Sequence, residues 1–137
     1  KKKGLNYFDT SQNYKLAEKV LGSFRLPKKK IITKINLSNI SLDKNFEYEL
    51  EKKILLSLKN LKIKKVYCLL LQNIDDYFKK EGDKIYQALI YLKKKKLFNK
   101  FGYSIYDFNN IDLICKKFLP DIIQCPFNTC TENNLMN

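Results

Sequence analysis

Strand-like and helix-like patterns alternate along this chain, and that alternation constrains the fold more than any single motif. Leu5 to Phe8 reads as a short apolar strand, and Ala17, Val20 and Leu21 follow at helical spacing, closed by Gly22 as a C-terminal cap. Ile31 to Ile35 is a second strand, and Leu50, Ile54, Leu55, Leu58 and Leu61 mark a strong helix. Val66 to Leu71 is apolar without alternation, as expected of a strand buried on both faces of a parallel sheet. Ile85, Leu89 and Leu92 repeat at i, i+4, i+7 behind Asp83, which fits an N-cap. Phe101 to Ser104 is a strand, Ile111, Ile114, Cys115 and Phe118 a helix, and Asp121 to Cys125 a last strand after Pro120. Repeated β-α units imply parallel strands with helical crossovers, hence an α/β fold. A doubly wound sheet of five strands and a segment of a larger barrel both fit this pattern. The 137 residues favour the first, because a complete (β/α)₈ barrel takes about 250. Yet no glycine-rich loop follows the first strand, where a nucleotide-binding doubly wound fold places its phosphate cradle.

Composition excludes several classes. With 45% hydrophobic and 30% charged residues the chain reads as globular. No apolar run approaches the roughly 20 residues of a membrane helix. Lys1-Lys2-Lys3 runs into Gly4 and a strand rather than an apolar signal region, so a cytoplasmic address is expected. The net charge of +13 raises the question of nucleic acid. Nearly all of it is lysine, however, and Arg25 is the only arginine, the residue that dominates specific phosphate and base recognition. The Lys93 to Lys96 run sits where a helix ends and complements its dipole. Specific nucleic-acid binding is therefore not expected. Cys68, Cys115, Cys125 and Cys130 form no CxxC pair, and no histidine is present, so no metal site is expected. Cys68 and Cys115 read as small buried residues.

Parallel α/β proteins place active sites at strand C-termini. Here those ends carry Asp9-Thr10-Ser11 with Tyr14 just beyond, Thr33-Lys34, Gln72-Asn73, and Ser104. Each alone has an ordinary explanation in capping or strand termination. Together they form a pattern. Asp9 to Gly22 resembles the aldo-keto reductase signature D-T-A-x-x-Y-G-x-S-E-x-x-L-G. Ile31-Ile32-Thr33-Lys34 resembles that family's strand ending in lysine. Ser57-Leu58-Lys59-Asn60-Leu61 followed by Val66 to Asn73 is similar to its S-L-x-x-L and D-x-x-L-L-H. Gly102-Tyr103-Ser104 resembles G-V-S, and Pro120 to Asn128 resembles P-D-x-x-Q-x-x-x-N. The likeness covers residues 1 to about 128, leaving 129–137 as a polar tail of no assigned structure.

The resemblance implies an incomplete (β/α)₈ TIM barrel holding about strands 2–6. It also implies an NADP-dependent (possibly NAD-dependent) oxidoreductase that reduces an aldehyde, ketone or sugar carbonyl of a small molecule. Such a reduction needs hydride at carbon and a proton at oxygen. Tyrosine is a weak acid, with an ordinary pKa of about 10, and an adjacent ammonium favours its ionised form. By resemblance Tyr14 is the proton donor, Lys34 its modulator and Asp9 the partner of the lysine. Gln72 stands where the family has a histidine that polarises the carbonyl, and Ser104 and Gln124 match the residues that hold the nicotinamide carboxamide.

The departures carry expectations of their own. Gln72 can donate a hydrogen bond but cannot titrate, so a slowed or altered reaction is expected, and a catalytically inactive relative is the alternative. Lys15 replaces the usual glycine after the tyrosine. Ser104-Ile105-Tyr106-Asp107 is similar to a branch found in bacterial surface-sugar gene clusters. The resemblance aligns Gly4 to Asp9 with the second barrel strand, leaves strands 1, 7 and 8 outside this stretch, and so predicts a fragment with impaired activity. It also predicts two long open sheet edges. No pattern specifies an oligomeric state.

Overall fold

A computed structural model describes residues 4–24, 30–38, 40–72, 75–106 and 111–126, with the side chains of 75–80 and 114 excepted. The strands and helices alternate as β1 (Tyr7–Asp9), α1 (Ala17–Ser23), β2 (Lys30–Asn36), α2 (Phe46–Leu61), β3 (Val66–Gln72), α3 (Asp75–Lys94), β4 (Phe98–Ser104), α4 (Ile111–Lys117) and β5 (Ile122–Gln124). All neighbouring strands are parallel, and their order in the sheet is their order in the chain. That order settles the architecture. A doubly wound sheet reverses direction at a switch point, whereas a barrel adds each strand beside the last. This sheet is part of a (β/α)₈ barrel.

The strands divide their two faces between the helices and the site. Ile31 and Ile35 of β2, Leu69 and Leu71 of β3, and Phe101 and Tyr103 of β4 join Leu50, Ile54, Leu58, Ile85, Leu89 and Leu92 of α2 and α3 in one core. Because side chains alternate along a strand, Ile32 and Lys34 fall on the opposite face. Cys68 and Leu70 are also fully buried, so β3 is covered on both sides, as its unbroken apolar run implies. Burial pushes the Cys68 thiol up to about 12. Tyr103 is buried as well, and donates its hydroxyl to the Phe118 carbonyl at 2.7 Å.

Several local expectations are corrected. Gly22 does not cap α1: it lies inside the helix, and no described glycine has a positive φ. Its lack of a side chain serves packing instead. A Cβ there would sit 2.2 Å from the Asn60 carbonyl oxygen, so α1 and α2 can meet only over a glycine. Val20 is exposed, whereas Leu21 packs against the core near buried Glu18 and Gly22, so the inward stripe of α1 keeps Leu21 and leaves out Val20. Leu55 is likewise exposed. Within α3 two helices meet at a kink at Glu81 (φ −133°), so a helix does start just ahead of Asp83, which falls in its first turn rather than at its cap; Asp83 pairs with Lys117 at 2.9 Å. Cys115 is only half-buried. The edge strands β1 and β5 have three residues each, so the described open edges are short rather than long. Short edges leave few backbone groups open to adventitious pairing. Cys130 and the tail 129–137 lie outside the described residues. Among the described residues no helix is long and apolar enough to cross a membrane.

Candidate active site

The polar residues singled out above gather at the C-terminal ends of the strands. Lys34 ends the buried part of β2 with its side chain 3% exposed, and it would be costly there without a counter-charge. Asp9, at the end of β1, supplies one: Lys34 Nζ donates to its two carboxylate oxygens at 2.6 and 2.5 Å. The third ammonium contact goes to the Thr10 carbonyl at 3.2 Å. All three donors of the ammonium are engaged, so its position is fixed by Asp9 and the Thr10 carbonyl. Its charge lies 5.4 Å from the centroid of the Tyr14 ring, a cation–π distance. Tyr14 itself is half exposed and accessible to a ligand.

The loop that carries Tyr14 is anchored on three sides. Thr10 and Gln12 donate their backbone N–H groups to the Ile32 and Lys34 carbonyls, extending the β1–β2 ladder. Buried Ser11 donates its hydroxyl to the Lys34 carbonyl at 3.4 Å and accepts the Asn13 N–H at 3.2 Å. Gln12 reaches α2, donating to the Lys53 carbonyl and Ser57 Oγ at 2.6 and 2.7 Å. Lys15, in the place of the family's glycine, has φ 48°, so the loop keeps a left-handed turn with the wrong residue for it.

Register places the remaining groups. Asn36, Gln72, Ser104 and Gln124 are successive partners across β2, β3, β4 and β5 and form one polar row at the sheet's C-terminal edge. Ser104 and Gln124 join Asp9, Tyr14 and Lys34 in the wall of an open cleft of about 210 Å³, whose lining also includes Ile105, Tyr106, Cys125 and Pro126. Gln72 stands in the same row but outside that wall, where its Oε1 accepts a hydrogen bond from Asn13 Nδ2 at 3.3 Å. Five of the six sequence-derived site residues thus share one cleft, and the sixth flanks it. Asn73, Asp107 and Asn128 lie outside the described residues.

Sequence reasoning passed over the supports. Glu18 is buried beneath the loop, accepting from Thr33 Oγ1 at 2.7 Å and Asn60 Nδ2 at 3.2 Å, and so clasps α1, β2 and α2 together. Ser57, 1% exposed, and Gln12 were visible only as letters of a motif. A buried carboxylate inside a helical pattern gives no signal until its donors are known.

One buried atom at the cleft lacks a partner. Gln124 Oε1 is inaccessible and accepts no hydrogen bond among the described residues. An unsatisfied buried acceptor is costly and calls for a donor from a ligand or an ordered water. A primary carboxamide, which offers N–H donors, matches it.

No known protein family and no curated protein matches this sequence. Solved structures do match in three dimensions. A glycerol dehydrogenase from Gluconobacter oxydans, AKR11B4, superposes with a TM-score of 0.70 at 21% identity, over 90% of this chain and 41% of its own. The aldo-keto reductase AKR11C1 from Bacillus halodurans, in its holo form, gives 0.73 at 20%, over 90% and 44%. The fold is that of part of an aldo-keto reductase barrel. The aldose reductase of Giardia lamblia agrees, with 0.68 at 15% over 90% and 49%. The chain spans less than half the length of each of these three structures.

Proposed function

We propose that this chain belongs to an aldo-keto reductase that binds a nicotinamide dinucleotide (NADP or NAD) and reduces an aldehyde, ketone or sugar carbonyl. The observation that carries this reading is the Asp9–Lys34 pair set against the Tyr14 ring in the cleft that also holds Ser104 and Gln124. The residues fit the cofactor's reactive end: Gln124 Oε1 is a buried acceptor in need of a donor, and the Ser104 hydroxyl stands beside it in register. These two would hold the carboxamide, and the bound dihydronicotinamide supplies the hydride. Tyr14 then gives its phenolic proton to the carbonyl oxygen. The Lys34 ammonium, 5.4 Å from the centre of the Tyr14 ring, is the positive charge beside the phenol, and Asp9 keeps it in place.

Gln72 favours a second reading, an inactive relative that keeps the site but has lost turnover. An amide cannot gain or lose a proton near neutrality, so the histidine's titration is absent. Two measurements separate the readings on the full-length protein. Quenching of dihydronicotinamide fluorescence tests binding, and loss of its absorbance with a simple aldehyde tests turnover. The oxidoreductase reading expects both, with Tyr14→Phe abolishing turnover but not binding. Binding without turnover that Gln72→His fails to restore supports the inactive relative. Absence of binding overturns both.

A further inference from the structure

Gln72 has one end that accepts a hydrogen bond and one that donates, and only the donating end is useful against a carbonyl oxygen. The terminal torsion of a glutamine is soft and roughly two-fold, so a free amide offers either end. Here the choice is made by a neighbour. Asn13 Nδ2 donates to Gln72 Oε1 at 3.3 Å, which occupies the accepting end. Gln72 Nε2 has no hydrogen-bond partner among the described residues, and its residue stands in the row of Ser104 and Gln124. Asn13 is itself held, because its N–H is bound by Ser11 and the preceding Gln12 is fastened to Lys53 and Ser57. It also directly precedes Tyr14, so one short loop carries both the phenol and the group that orients the amide.

We propose that Asn13 is a positioning residue that fixes the Gln72 amide with its NH₂ group toward the substrate carbonyl, so that a glutamine can do the orienting part of a histidine's work. This rests on the cleft being a carbonyl-reducing site. An imidazole at position 72 carries no carbonyl and amine ends that can trade places, so the flip that Asn13 prevents belongs to the glutamine alone.

The test pairs Asn13→Asp and Asn13→Ala with Gln72 and Gln72→His backgrounds in the full-length protein. A carboxylate at 13 can only accept, so it draws the Gln72 NH₂ to itself and turns the carbonyl end outward. Asn13→Asp is expected to raise KM for the carbonyl substrate about tenfold beside Gln72, with a smaller effect for Asn13→Ala, and neither to do so beside Gln72→His. Equal losses in both backgrounds would mean that Asn13 only shapes the loop, and would overturn the proposal. A second readout needs no turnover. The Gln72 side-chain amide should show restricted motion in the relaxation of its proton–nitrogen pair, and Asn13→Ala should loosen it and shift the pair. Identical amide spectra with and without Asn13 also overturn it. If no carbonyl is reduced by any variant, the reading of the cleft fails, and the spectra alone decide whether Asn13 fixes Gln72.

Discussion

Gln12 joins the loop that carries Tyr14 to the middle of α2 by donating its side-chain amide to Ser57 Oγ at 2.7 Å, across 45 residues of sequence. The same nitrogen donates to the Lys53 carbonyl at 2.6 Å. The placement of the candidate proton donor therefore depends on a helix far from it in the chain. Replacing Gln12 by leucine leaves the Ser57 hydroxyl, 1% exposed, without this partner. A loss of about 1–3 kcal/mol is expected, visible as a lower urea midpoint, together with a drop in kcat larger than the change in cofactor affinity. An unchanged midpoint would show that the link contributes nothing.

Glu18 holds three elements through two neutral donors, Thr33 and Asn60. Glu18→Ala should destabilise the protein by about 2–3 kcal/mol, because Thr33 Oγ1 is left in a fully buried site without its acceptor. Glu18→Gln keeps the shape and one acceptor and should cost less. Denaturant titration of both variants ranks them.

Gly102 permits the approach of β5. A Cβ there would lie 1.8 Å from the Ile122 carbonyl oxygen and 2.7 Å from its carbon, both backbone atoms that cannot swing aside. Gly102→Ala should push β5 off β4 and carry Gln124 away from Ser104, lowering cofactor affinity at least as much as stability. Gly22→Ala meets the Asn60 backbone instead, so it should lower stability while leaving the register of Ser104 and Gln124 intact.

Lys15 adopts φ 48°, where a side chain costs about 1–2 kcal/mol relative to glycine. Lys15→Gly should therefore raise the melting temperature by a few degrees, because the strain relieved exceeds the glycine's greater freedom when unfolded. A lower melting temperature would show that the lysine contributes contacts outweighing the strain.

Asp121 is pulled two ways: burial raises its carboxyl, but the Lys93 ammonium at 2.7 Å and the Phe101 N–H at 3.0 Å more than compensate, holding it below the usual carboxylate range. A folded pKa below the unfolded one adds stability above the ordinary aspartate value of about 3.9, lost as pH falls through the lower folded value. Asp121→Asn should accordingly reduce stability at neutral pH and flatten its decline in acid. Lys93→Met should do the same in part. Urea midpoints measured from neutral pH down to strong acid check both.

The order of strands and helices was legible because the 2.0 and 3.6 residue periods are local properties of the chain. The polar strand ends were legible for the same reason, since Asp9, Lys34, Gln72, Ser104 and Gln124 each interrupt or close an apolar run. Other features were not. Gly22 read as a cap because a glycine after an apolar run usually is one, and its contact with Asn60 exists only once α2 lies against α1. Val20 read as core and proved exposed, while Glu18 beside it is buried, because hydrogen-bond donors on β2 and α2 outweigh the polarity of its side chain. Asp83 read as a cap, but the break falls at Glu81, two residues earlier, and Asp83 lies in the first turn that follows it.

The sequence by itself determined that the strands are parallel and crossed by helices, and which side chains stand at their C-terminal ends. These follow from periodicity and from the short reach of a turn. Periodicity left a doubly wound sheet and a barrel segment open; the motif resemblance pointed to the barrel, and strand order showed it, because that order depends on which distant backbones pair. Tertiary structure alone brought Asp9 onto Lys34 and set both against Tyr14, across 25 residues of chain. It also turned the Gln72 substitution into a question about Asn13, since an amide's useful end is chosen by whatever neighbour the fold places beside it.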